Sequence, residues 1–301
     1  MTAPVPPLFA RDETLVLDGG LSNQLADQGC DLSDPLWSAR LLADAPEQIA
    51  AAHTAYVRAG ARVLITASYQ ATYEGFAHRG VGREEASALL RRSVDLARRA
   101  AAARPGIRVA ASVGPYGAML ADGSEYRGRY GRTVRELVRF HRPRIETLAA
   151  AGPDVLALET VPDTDEAEAM LRAAEGTGVP VWLSYTISGD RTRAGQPLAD
   201  AFALAADHPQ VAAVGVNCCA PADVADAVRT AVAVTGLPVA VYPNSGEGWD
   251  ASARRWRGPS AFTAADVTAW QSAGARLIGG CCRVGPDRIA EIAAVIGHVT
   301  P

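Results

Sequence analysis

Short apolar runs alternate along the chain with longer stretches in which apolar residues recur every three or four positions. Such alternation indicates buried β-strands, each followed by an amphipathic helix, which is typical of a parallel sheet built from βα units. Eight units are predicted. Their strands are 14–18, 62–67, 107–113, 154–158, 180–186, 210–216, 238–242 and 275–279.

The helical patterns follow these strands in order and are opened by capping residues at Asp165, Asp200 and Thr263. They lie near 46–59, 83–103, 132–151, 165–177, 199–207, 222–235, 263–273 and 286–296. Eight βα units predict an α/β fold, a single (β/α)8 TIM barrel over residues 1–301. The alternative is an open doubly wound sheet, whose dinucleotide-binding form is disfavoured because no GxGxxG turn follows the first strand.

Polar and sulfur-containing residues stand where the predicted strands end. They are Asp18, Ser68, Glu159, Cys218, Cys281 and Cys282. In a barrel these positions share one face, the face that carries the active site. Two connections on this face, 114–131 and 243–258, exceed the usual length and are expected to frame a pocket.

Charge and composition exclude several classes of protein. A net charge of −4 in 301 residues offers no basic surface for nucleic acid. The N-terminus lacks the pattern of a signal peptide and every apolar run is too short to span a membrane, so a cytoplasmic protein is expected. All 29 basic residues are Arg, which excludes Schiff-base chemistry and a P-loop lysine.

Four of the five cysteines form two adjacent pairs, Cys218–Cys219 in GVNCC and Cys281–Cys282 in GGCCR. A reducing cytoplasm favours metal ligands or reactive thiols over structural disulfides. A soft cation such as zinc binds thiolates, and a catalytic zinc keeps three protein ligands and one open position. The alternative is that these cysteines are small buried hydrophobic residues.

The sequence resembles the homocysteine S-methyltransferase family over nearly the whole chain. The matching segments are LDGGLSNQL, DPLWSARLL, AGARVLITASYQATYEGF, ASVGPYGAMLADGSEYRG, LALETVPD, GVNC, YPNSGEGWD and GGCCR. Within the family, ASYQAT, DGSEYRG and YPNSGE look most like the subgroup that uses S-methylmethionine, more than the betaine-dependent or cobalamin-dependent relatives. The resemblance implies a zinc-containing barrel that methylates the sulfur of homocysteine.

Carried over residue by residue, the resemblance implies that Zn²⁺ is held by Cys218, Cys281 and Cys282. It implies that the ammonium and carboxylate of homocysteine are held by Asp18, Gly19, Ser68 and Glu159. Asn217 stands beside the first ligand and is expected to fix its loop or to contact the pocket. Cys219 departs from the pattern of many relatives and is expected not to bind the metal.

The expected reaction makes methionine from homocysteine, with S-methylmethionine the favoured donor and S-adenosylmethionine second. A sulfonium cation is attracted to aromatic faces, for which the candidates are Trp37, Tyr69, Tyr116, Tyr126 and Trp249. The sequence leaves open the donor, selenium-containing acceptors and the oligomeric state, with a monomer favoured. Two alternatives are a vicinal-dithiol redox or metal-storage protein, and a barrel lyase or hydrolase that uses Asp18 and Glu159.

Overall fold

Eight parallel strands form a ring in the computed structural model, which describes residues 8–9, 13–34, 36–250, 255–258 and 260–299. The strands are β1 (Leu15–Val16), β2 (Val63–Ile65), β3 (Arg108–Val113), β4 (Val155–Val161), β5 (Val181–Tyr185), β6 (Val211–Asn217), β7 (Val239–Tyr242) and β8 (Ala275–Ile278). Their order is β1-β8-β7-β6-β5-β4-β3-β2. A parallel bridge between Leu17 and Val63 joins β1 to β2, so the ring closes and the predicted barrel is confirmed.

The eight predicted helices are also confirmed, within a few residues at their ends. They are α1 (Pro46–Arg58), α2 (Arg83–Ala101), α3 (Val134–Ala150), α4 (Thr164–Ala174), α5 (Leu198–Ala206), α6 (Pro221–Thr235), α7 (Ala264–Ala273) and α8 (Pro286–Val299). None of the described helices combines the length and apolar composition needed to cross a membrane.

The connections after β1, β2 and β3 contain short helical segments that the sequence pattern did not predict. The α-helical ones are Leu21–Asp27, Leu41–Asp44, Tyr73–His78 and Tyr116–Leu120; 3₁₀ turns occur at Trp37–Arg40 and Ser124–Tyr126. Segments this short show too few turns for a hydrophobic period to be recognised. They thicken the mouth of the barrel.

Two antiparallel hairpins lie among the later connections. Ile187–Ser188 pairs with Arg191–Thr192 after β5, and Gly248–Asp250 pairs with Arg255–Arg257 after β7. The second hairpin belongs to the long connection predicted at 243–258, of which residues 251–254 lie outside the described part.

The helix caps agree with the sequence only in part. Thr263 caps α7 in a reciprocal capping box, as predicted. In α4 the cap is Asp163, whose carboxylate accepts a hydrogen bond of 3.1 Å from the Asp165 N–H. Asp165 and Asp200 therefore lie one or more residues inside their helices, where an acidic side chain still interacts favourably with the helix dipole.

The barrel interior is filled by residues that alternate along the strands with those facing the helices. Small alanines on four strands leave room for two large rings, Trp182 and Tyr242, whose centroids lie 6.1 Å apart. Phe9 closes the amino-terminal end, with its ring 6.5 Å from that of Trp182. A packed interior of this kind is characteristic of the fold, and it restricts open space to the carboxyl-terminal mouth.

Gly215 on β6 tests this packing, because a β-carbon there would collide with the carbonyl oxygen of Ala240 on β7. We expect Gly215→Ala to lower the free energy of unfolding by about 1–3 kcal/mol, measured by urea denaturation. Gly297→Ala is the control: no neighbouring atom lies within 4 Å of its added carbon, so its stability should be unchanged or slightly higher. Equal midpoints for both variants would contradict the packing argument.

Candidate metal centre and amino-acid pocket

Three cysteine sulfurs converge at the mouth of the barrel. The Sγ atoms of Cys218, Cys281 and Cys282 all lie within 4.8 Å of one another, and those of Cys281 and Cys282 are 4.0 Å apart. Three thiolates around a tetrahedral zinc, each at about 2.3 Å, would be separated by about 3.8 Å. The donor set, and the spacing of Cys281 and Cys282, therefore fit a soft divalent metal.

Cys218 reaches this position because the chain turns sharply as it leaves β6. Its φ is 49°, in the left-handed region that disfavours a residue with a β-carbon. Thr160, near the end of β4, has a similar φ of 58°. The Asn217 carboxamide joins these two positions: its oxygen accepts from the Thr160 N–H at 2.8 Å, and its nitrogen donates to Thr160 Oγ1 at 2.7 Å. Asn217 thus links two strained backbone positions on neighbouring segments of the mouth.

The other two cysteines are held by the connection that follows β7. The Cys281 N–H donates to the Pro243 carbonyl at 2.8 Å, and the Cys282 N–H donates to Asn244 Oδ1 at 3.2 Å. Gly280 must lack a β-carbon because one would overlap Val284. These backbone contacts fix the direction of both thiols.

The remaining cysteines lie elsewhere. Cys219 is buried in the hydrophobic layer between strands and helices, and burial raises the pKa of its thiol to about 12. Cys30 packs against the edge of the same layer. The sulfur cluster found among the described residues therefore includes neither of them.

Cys218 and Cys281 are joined as a disulfide, whereas the sequence favoured free thiols. Their Cα atoms lie 5.6 Å apart, a separation typical of disulfides, so the convergence that suits a metal also allows the two sulfurs to bond. Cys282 is free, and burial raises the pKa of its thiol to about 11. A nearby cation is thus needed for it to ionise at neutral pH.

Asp18 lies two residues after β1 with its carboxylate buried. Oδ2 accepts a hydrogen bond of 2.8 Å from the Ile65 N–H, whereas Oδ1 is buried without a partner. Burial, and more weakly the charge of Glu159, raise the pKa of Asp18 well above its usual range. An unpaired buried carboxylate oxygen is suited to a cationic ligand. The adjacent Gly19 has no space for a β-carbon, because the Tyr56 ring would lie 2.9 Å from it.

Ser68 and Glu159 belong to one chain of hydrogen bonds. Ser68 Oγ donates to the Ser112 carbonyl at 2.7 Å, so Thr66 Oγ1 must be the donor in its 2.6 Å contact with Ser68. Ser112 Oγ in turn donates to Glu159 Oε1. The Ser68 hydroxyl proton is therefore already used, and only main-chain donors near it can serve a substrate carboxylate.

Two of the aromatic candidates for donor binding lie near the thiols. Tyr126 is partly exposed but lies near enough to Cys282 to oppose the rise in the pKa of its thiol, and Tyr69 follows β2 at the same mouth. Tyr116 instead packs against Tyr130 and Phe140, with ring centroids 5.3 and 4.9 Å away. The side chain of Trp249 lies outside the described part.

Comparison with known proteins agrees with this architecture. A profile of the homocysteine S-methyltransferase family matches residues 15–296. The protein named homocysteine S-methyltransferase of Escherichia coli strain K12 is 46% identical over 305 residues, which cover 97% of this chain and 98% of that protein. The chain belongs to the homocysteine S-methyltransferase family.

Solved structures of a family member superpose on the chain over nearly its whole length. The metallated form of the homocysteine methyltransferase MmuM from Escherichia coli gives a TM-score of 0.87 at 44% identity, covering 97% of this chain and 99% of that one. Its oxidized form gives 0.86, with the same identity and coverage. The protein is thus an enzyme with the barrel of this family.

Sequence reasoning missed several residues around the site of this family member. Thr160, Ser112 and Tyr242 are buried beside the predicted ligands, yet each reads as an ordinary strand residue. The position of Thr160 directly after Glu159 was the available signal. Its hydroxyl also lies 3.8 Å from the Cys218 sulfur.

We expect Glu159 to make the stability of the folded protein depend on pH. Burial raises its pKa from an ordinary 4.5 to about 7. Between these values the folded protein retains a proton that the unfolded chain has lost, so the free energy of unfolding falls as the pH rises through this window. We expect Glu159→Gln to show a smaller decrease in the free energy of unfolding as the pH rises, because the contribution of Glu159 is absent. Urea denaturation of the metal-free protein from pH 4 to 8 measures this decrease. Asp18 contributes with the same sign in both proteins. Identical pH dependence of the two proteins would contradict the expectation.

Proposed function

We propose that the enzyme transfers a methyl group from a sulfonium donor to the sulfur of L-homocysteine, giving methionine, with S-methylmethionine preferred over S-adenosylmethionine. The observation that carries the proposal is the convergence of three cysteine sulfurs beside two buried carboxylates in one barrel mouth. The product would place the reaction in methionine biosynthesis.

Cys218, Cys281 and Cys282 would hold Zn²⁺, a proposal supported by their spacing and by the metallated form of the related MmuM. Zinc would act as a Lewis acid that favours the thiolate form of a thiol bound to it. With three cysteines as ligands, one coordination position would remain for the substrate thiol. The cysteines must be free thiols for this role, so the Cys218–Cys281 disulfide and metal binding exclude each other.

Asp18 and Glu159 would bind the α-ammonium group of homocysteine. The unpaired Oδ1 of Asp18 can accept one of the ammonium hydrogens. A positive ligand also lowers the pKa of both carboxyl groups, which burial alone raises. The ammonium would thus be bound by ionised carboxylates that water cannot easily reach, which favours an amino acid over a simple thiol.

The donor would lie above the acceptor, next to Tyr69 and Tyr126. Attack of a thiolate on a sulfonium forms a new S–C bond as the old one breaks, and the two opposite charges disappear together. A site of low dielectric favours such a step. The protein has to hold the donor carbon and acceptor sulfur in line at about 3–3.5 Å, and that orientation lowers the barrier.

Substitution of the cysteines tests the metal assignment. We expect Cys281→Ser and Cys282→Ser each to lose bound zinc and to reduce methyl transfer more than about a hundredfold. Removing a group that only hydrogen-bonds to a metal ligand reduces metal affinity or activity by up to about a hundredfold, and removing the ligand itself has a larger effect. Zinc content by elemental analysis and methionine formation are the measurements. Cys219→Ala is the matched control and should retain both.

Three results would reject the proposal in different ways. Full transfer by a zinc-free wild-type protein would exclude the metal. Thiol–disulfide exchange without methyl transfer would favour the vicinal-dithiol alternative. Catalysis that survives loss of Cys218 but not of Glu159 would favour a lyase or hydrolase.

The donor is identified by direct comparison. Methionine formation from homocysteine should be fastest with S-methylmethionine, slower with S-adenosylmethionine and undetectable with betaine, measured at equal concentrations of donor. Activity with betaine alone would show that the donor assignment is wrong.

A further inference from the structure

Residues 114–131 form a covering loop between β3 and α3 that carries two polar side chains to the thiols. Tyr126 lies beside Cys282, as described above. Glu125 is partly buried, and its Oε2 atom is buried without a hydrogen-bond partner. The loop therefore holds a carboxylate oxygen without a hydrogen-bond partner, in the turn Ser124–Tyr126 that packs against β4, the strand that carries Glu159.

A buried network on α3 and α4 holds the start of the covering loop. Arg144 Nη2 donates to the Gly114 carbonyl and to His141 Nδ1, the latter at 2.7 Å. His141 Nε2 lies 2.9 Å from Glu166 Oε1, which also accepts from the Tyr116 N–H at 2.5 Å. The three charged or titratable side chains are at most 1% exposed.

The protonation states in this network follow from its geometry. An arginine has donors only, so His141 Nδ1 must accept and Nε2 must carry the hydrogen that it donates to Glu166. A neutral imidazole therefore links a guanidinium to the carboxyl group of Glu166, and burial raises the pKa of that carboxyl group to about 7. A buried pair of opposite charges such as Arg144 and Glu166 contributes little to the free energy of unfolding. Its role here is to fix one arrangement of the groups that it contacts.

The network also touches the far end of the covering loop. The Tyr130 ring packs on that of Tyr116, with centroids 5.3 Å apart, and the Tyr116 N–H donates to Glu166. Between these ends, the residues Ala121, Asp122, Gly123, Arg127 and Arg129 are exposed. Two further hydrogen bonds hold the covering loop: Gln70 donates to the Ala118 carbonyl, and the Arg129 N–H donates to Asp163.

We propose that Arg144, His141 and Glu166 are positioning residues for the methyl donor. They hold the covering loop so that the Glu125 carboxylate receives the positive charge of a sulfonium amino acid above the acceptor thiol. The inference rests on the proposed function, since it specifies how the donor of that reaction is recognised. None of the three residues touches the reacting atoms.

The test separates donor binding from acceptor binding. Glu166→Gln keeps the shape of the side chain and removes its charge; Arg144→Met with Glu166→Gln removes both charges, so no unpaired ion stays buried. We expect the KM for S-methylmethionine to rise about tenfold in each, and in Glu125→Gln, with the KM for homocysteine and the zinc content changed less than about twofold.

Asp154→Asn is the matched control. Asp154 forms an ion pair of 2.6 Å with Arg98 and accepts from the Val109 N–H at 2.7 Å, at the opposite end of the barrel. Its loss removes an ion pair from the same fold without touching the covering loop. Both KM values should stay at the wild-type level.

Limited trypsin digestion gives a readout independent of activity, because Arg127 and Arg129 are exposed in the covering loop. Cleavage there, identified by fragment mass, should be at least about fivefold faster in the network variants than in wild type or Asp154→Asn. Equal cleavage rates, or equal rises in both KM values, would overturn the inference. An inactive wild-type enzyme would instead reject the proposed function, and the cleavage rates would still decide whether the network holds the loop.

Discussion

The site depends on the parallel pairing that closes eight strands into a ring. β6 and β8 both pair with β7, so Cys218 and Cys281 meet although 63 residues separate them in sequence. The bridge between Leu17 and Val63 brings the end of β1 beside that of β2, and the Ile65 N–H then binds the Asp18 carboxylate. If the ring were open at this point, the carboxylate and the sulfurs would have no common cavity.

Much of this arrangement could be predicted from the sequence because its signals are local. Strand and helix periods repeat over a few residues, and a polar residue after an apolar run marks the mouth of a barrel. Cys218, Cys281, Cys282, Asp18 and Glu159 could therefore be placed on one face before their distances were known. The family resemblance added roles that position alone does not assign.

The remainder depends on contacts between distant segments and leaves no local signal. Asn217 and Thr160 are bonded across 57 positions, and the left-handed backbone at Thr160 appears only in three dimensions. His141 and Arg144 lie in an amphipathic helix rich in arginine, where a charged side chain is usually solvent-exposed. Their burial follows from the covering loop packing over them, which the helical pattern does not encode.

Phe9 closes one of the two ends of the barrel. Its ring, covered by Arg108 and set against Trp182, closes the amino-terminal end of a packed interior. Under the proposed function, both substrates would enter from the opposite, carboxyl-terminal end, beneath the covering loop. An acceptor bound at Asp18 and Glu159 would then bind before a donor held above it, and the demethylated donor would leave before methionine.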